Sequence, residues 1–247
     1  MERNIVLTIQ YDGTRFDGWQ KQGNTANTIQ GRLEALLSRM TGEETELHGS
    51  GRTDAGVHAQ GQIANFHTDC SLSCPEMMAY INRFLPQDIA ILALREAPPR
   101  FHARLNARRK HYRYRIRTSS VPDVFSRHVV WHLGEQLDIP AMEAAASHLL
   151  GEHDFMSFCD NKRMKKSTVR RLDSISVTEH GCELVLDFFG NGFLYHMVRI
   201  LTGTLADIGR GERLPDEIPA MLEGRSRALT GSLAPAQGLC LMEVFYD

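Results

Sequence analysis

One order of elements can be read twice along this 247-residue chain, and that repetition constrains the fold more than any other feature. Ile5, Leu7, Ile9 and Tyr11 alternate with Val6, Thr8, Gln10 and Asp12 and run into Gly13, which predicts a strand ending in a turn. Ile29, Leu33, Leu36, Leu37 and Met40 recur at helical spacing after Thr28, a good N-cap, and Gly42 closes the segment. A short strand near residues 44–48 and a longer one over 62–68 follow. Ser73, Pro75 and Glu76 then form a capping box that opens a second helix, and 89–94 reads as a short buried strand. The second half predicts a strand over 110–117, a helix over 140–150 stopped by Gly151, and a hairpin of 175–178 and 183–189 turning over His180-Gly181. A helix over about 193–208, a shorter one over 215–222 and a strand over 239–246 complete it. Each half reads strand-helix-strand-strand-helix-strand, the split-βαβ or ferredoxin-like arrangement. The expectation is an α+β chain of two such units, 1–107 and 108–247, the second carrying insertions. No low-complexity linker separates them.

Composition narrows the setting. Hydrophobic residues make up 42% and charged residues 23%, ordinary values for a soluble globular protein. The longest purely apolar run, residues 89–94, is far too short to cross a bilayer, and Met1-Glu2-Arg3-Asn4 does not read as the start of a secretory leader. Five scattered cysteines suit a reducing compartment rather than a disulfide framework, so a cytoplasmic location is expected. His67, Asp69, Cys70 and Cys74 crowd together, yet no second ligand pair follows, and zinc is not expected.

The net charge of −2 argues against a general nucleic-acid binder, but its distribution points the other way. Eight Lys or Arg residues and no acid lie between Arg100 and Arg117, and six more, again without an acid, between Lys162 and Arg171. The first run is interleaved with His111, Tyr112 and Tyr114. Cations among aromatics suit phosphate contacts beside base stacking, where a merely solvated face needs no aromatics.

The densest chemical signal is the run Gly49-Ser50-Gly51-Arg52-Thr53-Asp54-Ala55-Gly56-Val57-His58. Its glycines let backbone approach a ligand closely. It lacks the Gly-Lys-Ser ending of a phosphate-binding P-loop and the spaced glycines of a dinucleotide turn. On residues alone Asp54 is either a turn residue bonding its own backbone or a reactive carboxylate.

The string Gly51 to Ala59 resembles the signature of the TruA family of tRNA pseudouridine synthases. The resemblance extends to Tyr11-Asp12-Gly13, Gly18-Trp19-Gln20, Phe101-His102-Ala103-Arg104, residues 109–114, residues 193–199 and residues 234–239. Cys240, where an aromatic is common, and residues 229–233 depart from it. The resemblance implies two ferredoxin-like, RRM-like units forming a pseudo-two-fold mixed or antiparallel sheet flanked by helices, with a central basic cleft. It implies isomerisation of uridine in the anticodon stem-loop of tRNA, at positions 38 to 40, by a homodimer that needs no cofactor. Asp54 would be the nucleophile, with Arg199 favouring its ionised form. Tyr112 would stack on the flipped uracil and manage the C5 proton, and Leu241 would supply an apolar contact. Arg52, Arg109, Lys110, Lys165 and Lys166 would bind the RNA. Two other readings remain open from the residues: a non-catalytic RNA-binding module on the same fold, and a metal-dependent hydrolase using Asp54 and His58 as ligands.

Overall fold

The computed structural model describes residues 2–161 and 166–247, and the chain divides into two compact units, Met1–Arg108 with Leu241–Asp247, and Arg109–Cys240. The sequence reading left 241–247 with the second half; in the structure these residues belong to the first unit. Arg108 donates its N–H to the carbonyl of Phe245 (2.8 Å), and the Tyr246 hydroxyl donates to the carbonyl of Ala103 (2.8 Å).

The first unit runs β1 (Arg3–Tyr11), α1 (Ile29–Thr41), β2 (His48–Gly49), β3 (His58–Thr68), α2 (Cys74–Phe84) and β4 (Ile89–Ala97). β1 pairs antiparallel with both β4 and β3, and β2 antiparallel with β3, the strand order of a split βαβ. The expected caps are present. The Thr28 side chain accepts from the N–H of Gly31, Gly42 ends α1 in the left-handed conformation (φ +80°), and Ser73 and Glu76 close a reciprocal capping box. Ile5, Leu7 and Ile9 of β1, Ile29, Leu33 and Leu37 of α1, and Met77 and Ile81 of α2 are buried. β4 corrects the sequence reading: it is an edge strand, longer than expected, and Leu92 is exposed.

The second unit runs β5 (Arg109–Arg117), β6 (Trp131–His132), α3 (Ile139–Ser147), β7 (Gly151–Asp154), β8 (Val169–His180), β9 (Glu183–Gly190), α4 (Met197–Gly209) and α5 (Ile218–Glu223), before β10 (Leu239–Phe245). The sheet order is β5-β9-β8-β7, antiparallel, with β6 parallel to β5. The fold is α+β with a mixed sheet. Gly151 does not stop α3, which ends at Ser147; it begins β7 instead. The β8–β9 turn is Gly181-Cys182, one residue later than expected, because Gly181 takes φ +63° and His180 pairs with Glu183.

Helix α4 is buried along nearly its whole length, and small residues let neighbours reach its backbone. The N–H of Gly231 donates to the Thr204 hydroxyl (3.0 Å) and that of Ser232 to Asp207 (3.0 Å). A Cβ on Gly203 would lie 1.9 Å from the carbonyl oxygen of Ser232. Gly203→Ala is therefore expected to cost about 1–3 kcal/mol of stability through overpacking, read as a lower denaturant midpoint with an unchanged m-value. An unaltered midpoint would mean that residues 230–233 move away freely.

Candidate active site

Residues 50–57 must bridge β2 and β3, and the anchors of this bridge come from Gln62 on β3 and from motifs read in the sequence. Ser50 donates its hydroxyl to Gln62 Oε1 (2.6 Å), and Gln62 Nε2 donates to the carbonyl of Gly51 (3.0 Å). Thr53 shares a 2.8 Å hydrogen bond with the Tyr11 hydroxyl, and its carbonyl accepts from the N–H of Trp19 (3.0 Å). The N–H of Val57 donates to the carbonyl of Asp54 (3.2 Å), with Gly56 at φ +77° in the position of the turn that favours glycine.

Contact distances explain the outer glycines. A Cβ on Gly13 would sit 2.0 Å from the carbonyl oxygen of Val57, and one on Gly18 (φ +92°) 2.8 Å from that of Thr53. A Cβ on Gly49 would overlap the Trp19 indole at 2.6 Å. Tyr11-Asp12-Gly13 and Gly18-Trp19-Gln20 are thus the seat on which the Asp54 loop rests. His58 belongs to the same seat, since its Nδ1 accepts from the N–H of Gly13 (3.1 Å). Fixed by main chain on both sides, Asp54 is half-buried and Arg52 exposed. Arg52 Nε donates to Gln20 Oε1 (3.0 Å), Gln20 to Gln30 (2.8 Å), and Gln30 to Glu34 (2.9 Å) and the carbonyl of Leu47 (3.0 Å). Sequence reasoning missed Gln30 and Gln62 and the anchoring roles of Gln20 and His58, which depend on partners elsewhere in the chain. Leu241, in this unit, is fully buried.

In the second unit Tyr112 lies on β5 opposite Phe188 and meets Phe193 edge-on, with centroids 5.1 Å apart at 80°. It is only 7% exposed. Tyr114, on the same strand face, donates to the carbonyl of Pro235 (2.7 Å), and burial pushes its phenol pKa well above the usual value. Arg199 sits in the first turn of α4. Its Nε donates to the carbonyl of Ala234 (2.8 Å), while the N–H of Ala234 donates to the carbonyl of Arg199 (3.2 Å). Arg199 is thus half-buried and positioned rather than waving on a helix surface.

The expected helix over 193–208 starts four residues late. His196 takes φ +63°, its Nδ1 is 2.6 Å from Asp160 Oδ2, and Arg227 Nε donates to Asp160 Oδ1 (3.0 Å). Burial alone would raise the Asp160 pKa, but His196 and Arg227 outweigh it and hold the carboxyl below its usual range.

The first basic run reads differently in three dimensions. Strand alternation puts His111, Arg113, Arg115 and Arg117 on the face opposite Tyr112 and Tyr114, where acids from elsewhere in the chain meet them. Asp187 on β9 takes both His111 (2.5 Å) and Arg113 (2.8 Å), Glu183 takes Arg115, and Asp123 lies 4.0 Å from Arg117. Arg109 is 3.4 Å from Asp173 and lies over the Phe189 ring (4.5 Å). Lys110 shares the strand face of Tyr112 and is half-buried. Of the second run, Lys166 is exposed, while Lys165 lies outside the described residues. Arg52, Asp54 and Leu241 thus belong to one unit, and Arg109, Lys110, Tyr112, Lys166 and Arg199 to the other.

Cys70 and Cys74 are gathered by Arg3, whose guanidinium donates to the carbonyls of Cys70 (2.8 Å) and Leu72 (2.7 Å). Among the described residues no group of three or more His, Cys, Asp or Glu side chains could hold a metal ion, and no helix is long and apolar enough to cross a membrane.

A family model described as tRNA pseudouridine synthase matches residues 7–106 and 145–247. The chain is 49% identical over 244 residues to a protein of Geotalea uraniireducens (strain Rf4) named tRNA pseudouridine synthase A, covering 99% of this chain and 100% of that one. It is 46% identical over 243 residues to the protein of that name in Moorella thermoacetica (98% and 99% covered). A solved structure described as a Cbf5-Nop10-Gar1 complex aligns with 82% of this chain and 45% of its own at 13% identity. Its TM-score of 0.35 is too low to bear on the fold or the site.

The Asp187 cluster makes a stability prediction. Burial would raise the Asp187 pKa, but Arg113 and His111 outweigh it and depress the folded value. The stability it contributes is therefore in place above the unfolded carboxylate value, ~3.9, and is lost as pH falls through the lower folded value. Asp187→Asn should cost about 1 kcal/mol at pH 7, a figure reduced for solvent screening. Denaturant midpoints of variant and wild type should converge at the acid end, and a constant gap from pH 7 to pH 2 would contradict this.

Proposed function

Because the chain belongs to the tRNA pseudouridine synthase family, it isomerises uridine to pseudouridine in tRNA, and we propose that Asp54 is the nucleophile of that reaction. The supporting observation is the seat: a half-buried carboxylate on a loop whose backbone is fixed by Tyr11, Trp19, Gln62 and the close approach of Gly13 and Gly18. Catalytic groups need this kind of prior positioning, since a displacement of about 1 Å can cost roughly a hundredfold in rate.

The reaction breaks the C1′–N1 bond, turns the uracil and forms C1′–C5. C5 gives up a proton and N1 gains one, so the change is redox-neutral and transfers no group from outside. A carboxylate can hold the fragments by adding to the anomeric carbon or to the uracil ring. Tyr112 stacks on the flipped base and manages the C5 proton, and Arg199 contributes a cation to the reaction. Arg52, held through Gln20, meets phosphate or helps open the stem, at a cost of a few kcal/mol of unstacking. Arg109, Lys110, Lys165 and Lys166 contribute phosphate contacts, and Leu241 an apolar wall. The substrate uridines are those of the anticodon stem-loop, positions 38 to 40, and the enzyme works as a cytoplasmic homodimer.

Unmodified tRNA carrying tritium at uracil C5 tests the assignment. Wild type should release tritium over many turnovers and keep its rate in EDTA. Asp54→Asn should release it at least ~10⁴-fold more slowly while tRNA affinity survives; retained turnover would place the chemistry elsewhere. Tyr112→Phe should keep stacking and affinity but slow C5-proton release by about 10²–10⁴-fold. Wild-type release in that variant would remove its proton role.

A further inference from the structure

One cavity of the first unit lies outside everything assigned above. It has a volume of about 760 Å³ and is lined by Arg15 and Phe16 from the segment after β1, Arg32 and Arg39 from α1, and Phe84 and Asp88 from the end of α2 onward. Arg32 and Arg39 are seven residues apart, two helical turns, so they share a face about 10 Å apart along the axis. Both are exposed.

Phe84 is 43% exposed and carries two guanidinium groups against its ring, Arg39 at 4.9 Å and Arg83 at 5.5 Å from the centroid. Charges of one sign gathered on one ring repel, and an anion offsets that repulsion. The acids nearby do not neutralise the group. Asp88 is engaged by Arg15, and Glu34, the acid within α1, is buried and bonded to Gln30 and Lys21. Unlike the β5 arginines, Arg32 and Arg39 have no carboxylate partner among the described residues' ion pairs; Arg32 reaches only Asn27, at 3.4 Å. The cavity also abuts the catalytic seat, since Phe16 lines it and the carbonyl of Phe16 accepts from the N–H of Gly56 (3.4 Å).

We propose that the groove between α1 and the end of α2 is a second binding site for the substrate RNA, in which Arg32 and Arg39 take phosphates of its backbone. The proposal rests on tRNA being the substrate. Planar guanidinium groups suit phosphate oxygens. Phe84 limits the freedom of Arg39, so less conformational entropy is lost when the phosphate arrives. The contact carries no base information, and so adds affinity and salt dependence rather than sequence preference.

The test is the salt dependence of tRNA binding to the full chain. Each phosphate contact contributes roughly 0.7–0.9 to the slope of log K against log salt. Arg32→Glu with Arg39→Glu is expected to lower the slope by about 1.4–1.8 and to weaken binding at least about tenfold near 0.1 M salt. Arg32→Lys with Arg39→Lys should keep most of the slope. Wild-type affinity and slope in the doubly reversed variant would overturn the groove proposal, as would equal loss in the Lys and Glu pairs, which would mark a packing effect. Tritium release by wild type in the same preparations separates the two levels: its absence removes the substrate, whereas its presence with an unchanged slope removes only the groove.

Discussion

Backbone touching backbone where a Cβ would stand is the constraint on which the candidate site depends. At Gly13 and Gly18 the chain after β1 comes within contact distance of the carbonyls of Val57 and Thr53. A single methyl at either position would separate the two segments. Hydrogen bonds from Tyr11, Trp19 and His58 then fix what contact allows. The carboxylate of Asp54 is therefore presented by a loop with little freedom of its own, although loops usually carry the most mobility in a fold.

The same logic operates in the second unit with different chemistry. Arg199 and Ala234 exchange hydrogen bonds, Tyr114 ties down Pro235, and Gly238 leaves room for the Tyr114 ring. The left-handed His196 is held by Asp160, which lets α4 begin where Arg199 falls in its first turn. A non-glycine residue at that angle costs energy that only its surroundings can offset, and here the His196–Asp160–Arg227 cluster offsets it.

Much of this was legible in the sequence, and what was not has physical reasons. Periodicity and caps gave α1, α2, β1 and the order of elements, because amphipathic spacing and end chemistry are local. The glycine-rich run and its companion segments were legible as strings. Their joint purpose as one seat was not, since it depends on contacts between positions about forty residues apart. The pairing of charges was not legible for a similar reason. The run on β5 holds no acid, but antiparallel pairing with β9 brings Glu183 and Asp187, four apart and on one face, against its arginines. Conversely, Arg32 and Arg39 share α1 with Glu34, and burial takes that acid out of play. The late start of α4 followed from one residue at positive φ, which no hydrophobic pattern encodes.

That Leu241–Asp247 belong with residues 1–108 makes the second unit, in topological terms, an insertion between two parts of the first. β10 lies beside β3, with Gly61 close enough that a Cβ would meet the carbonyl of Met242 at 2.4 Å. During synthesis β3 emerges long before this neighbour exists, and its edge must wait while the intervening residues are made. Such long-range pairing slows folding and leaves an unpaired strand exposed in the interval. Once the inserted unit folds it lowers the entropy cost of that pairing, because a compact body holds its own ends far closer than a random coil of the same length. The order of assembly is then set by topology: the unit bearing Asp54 begins first and is completed last.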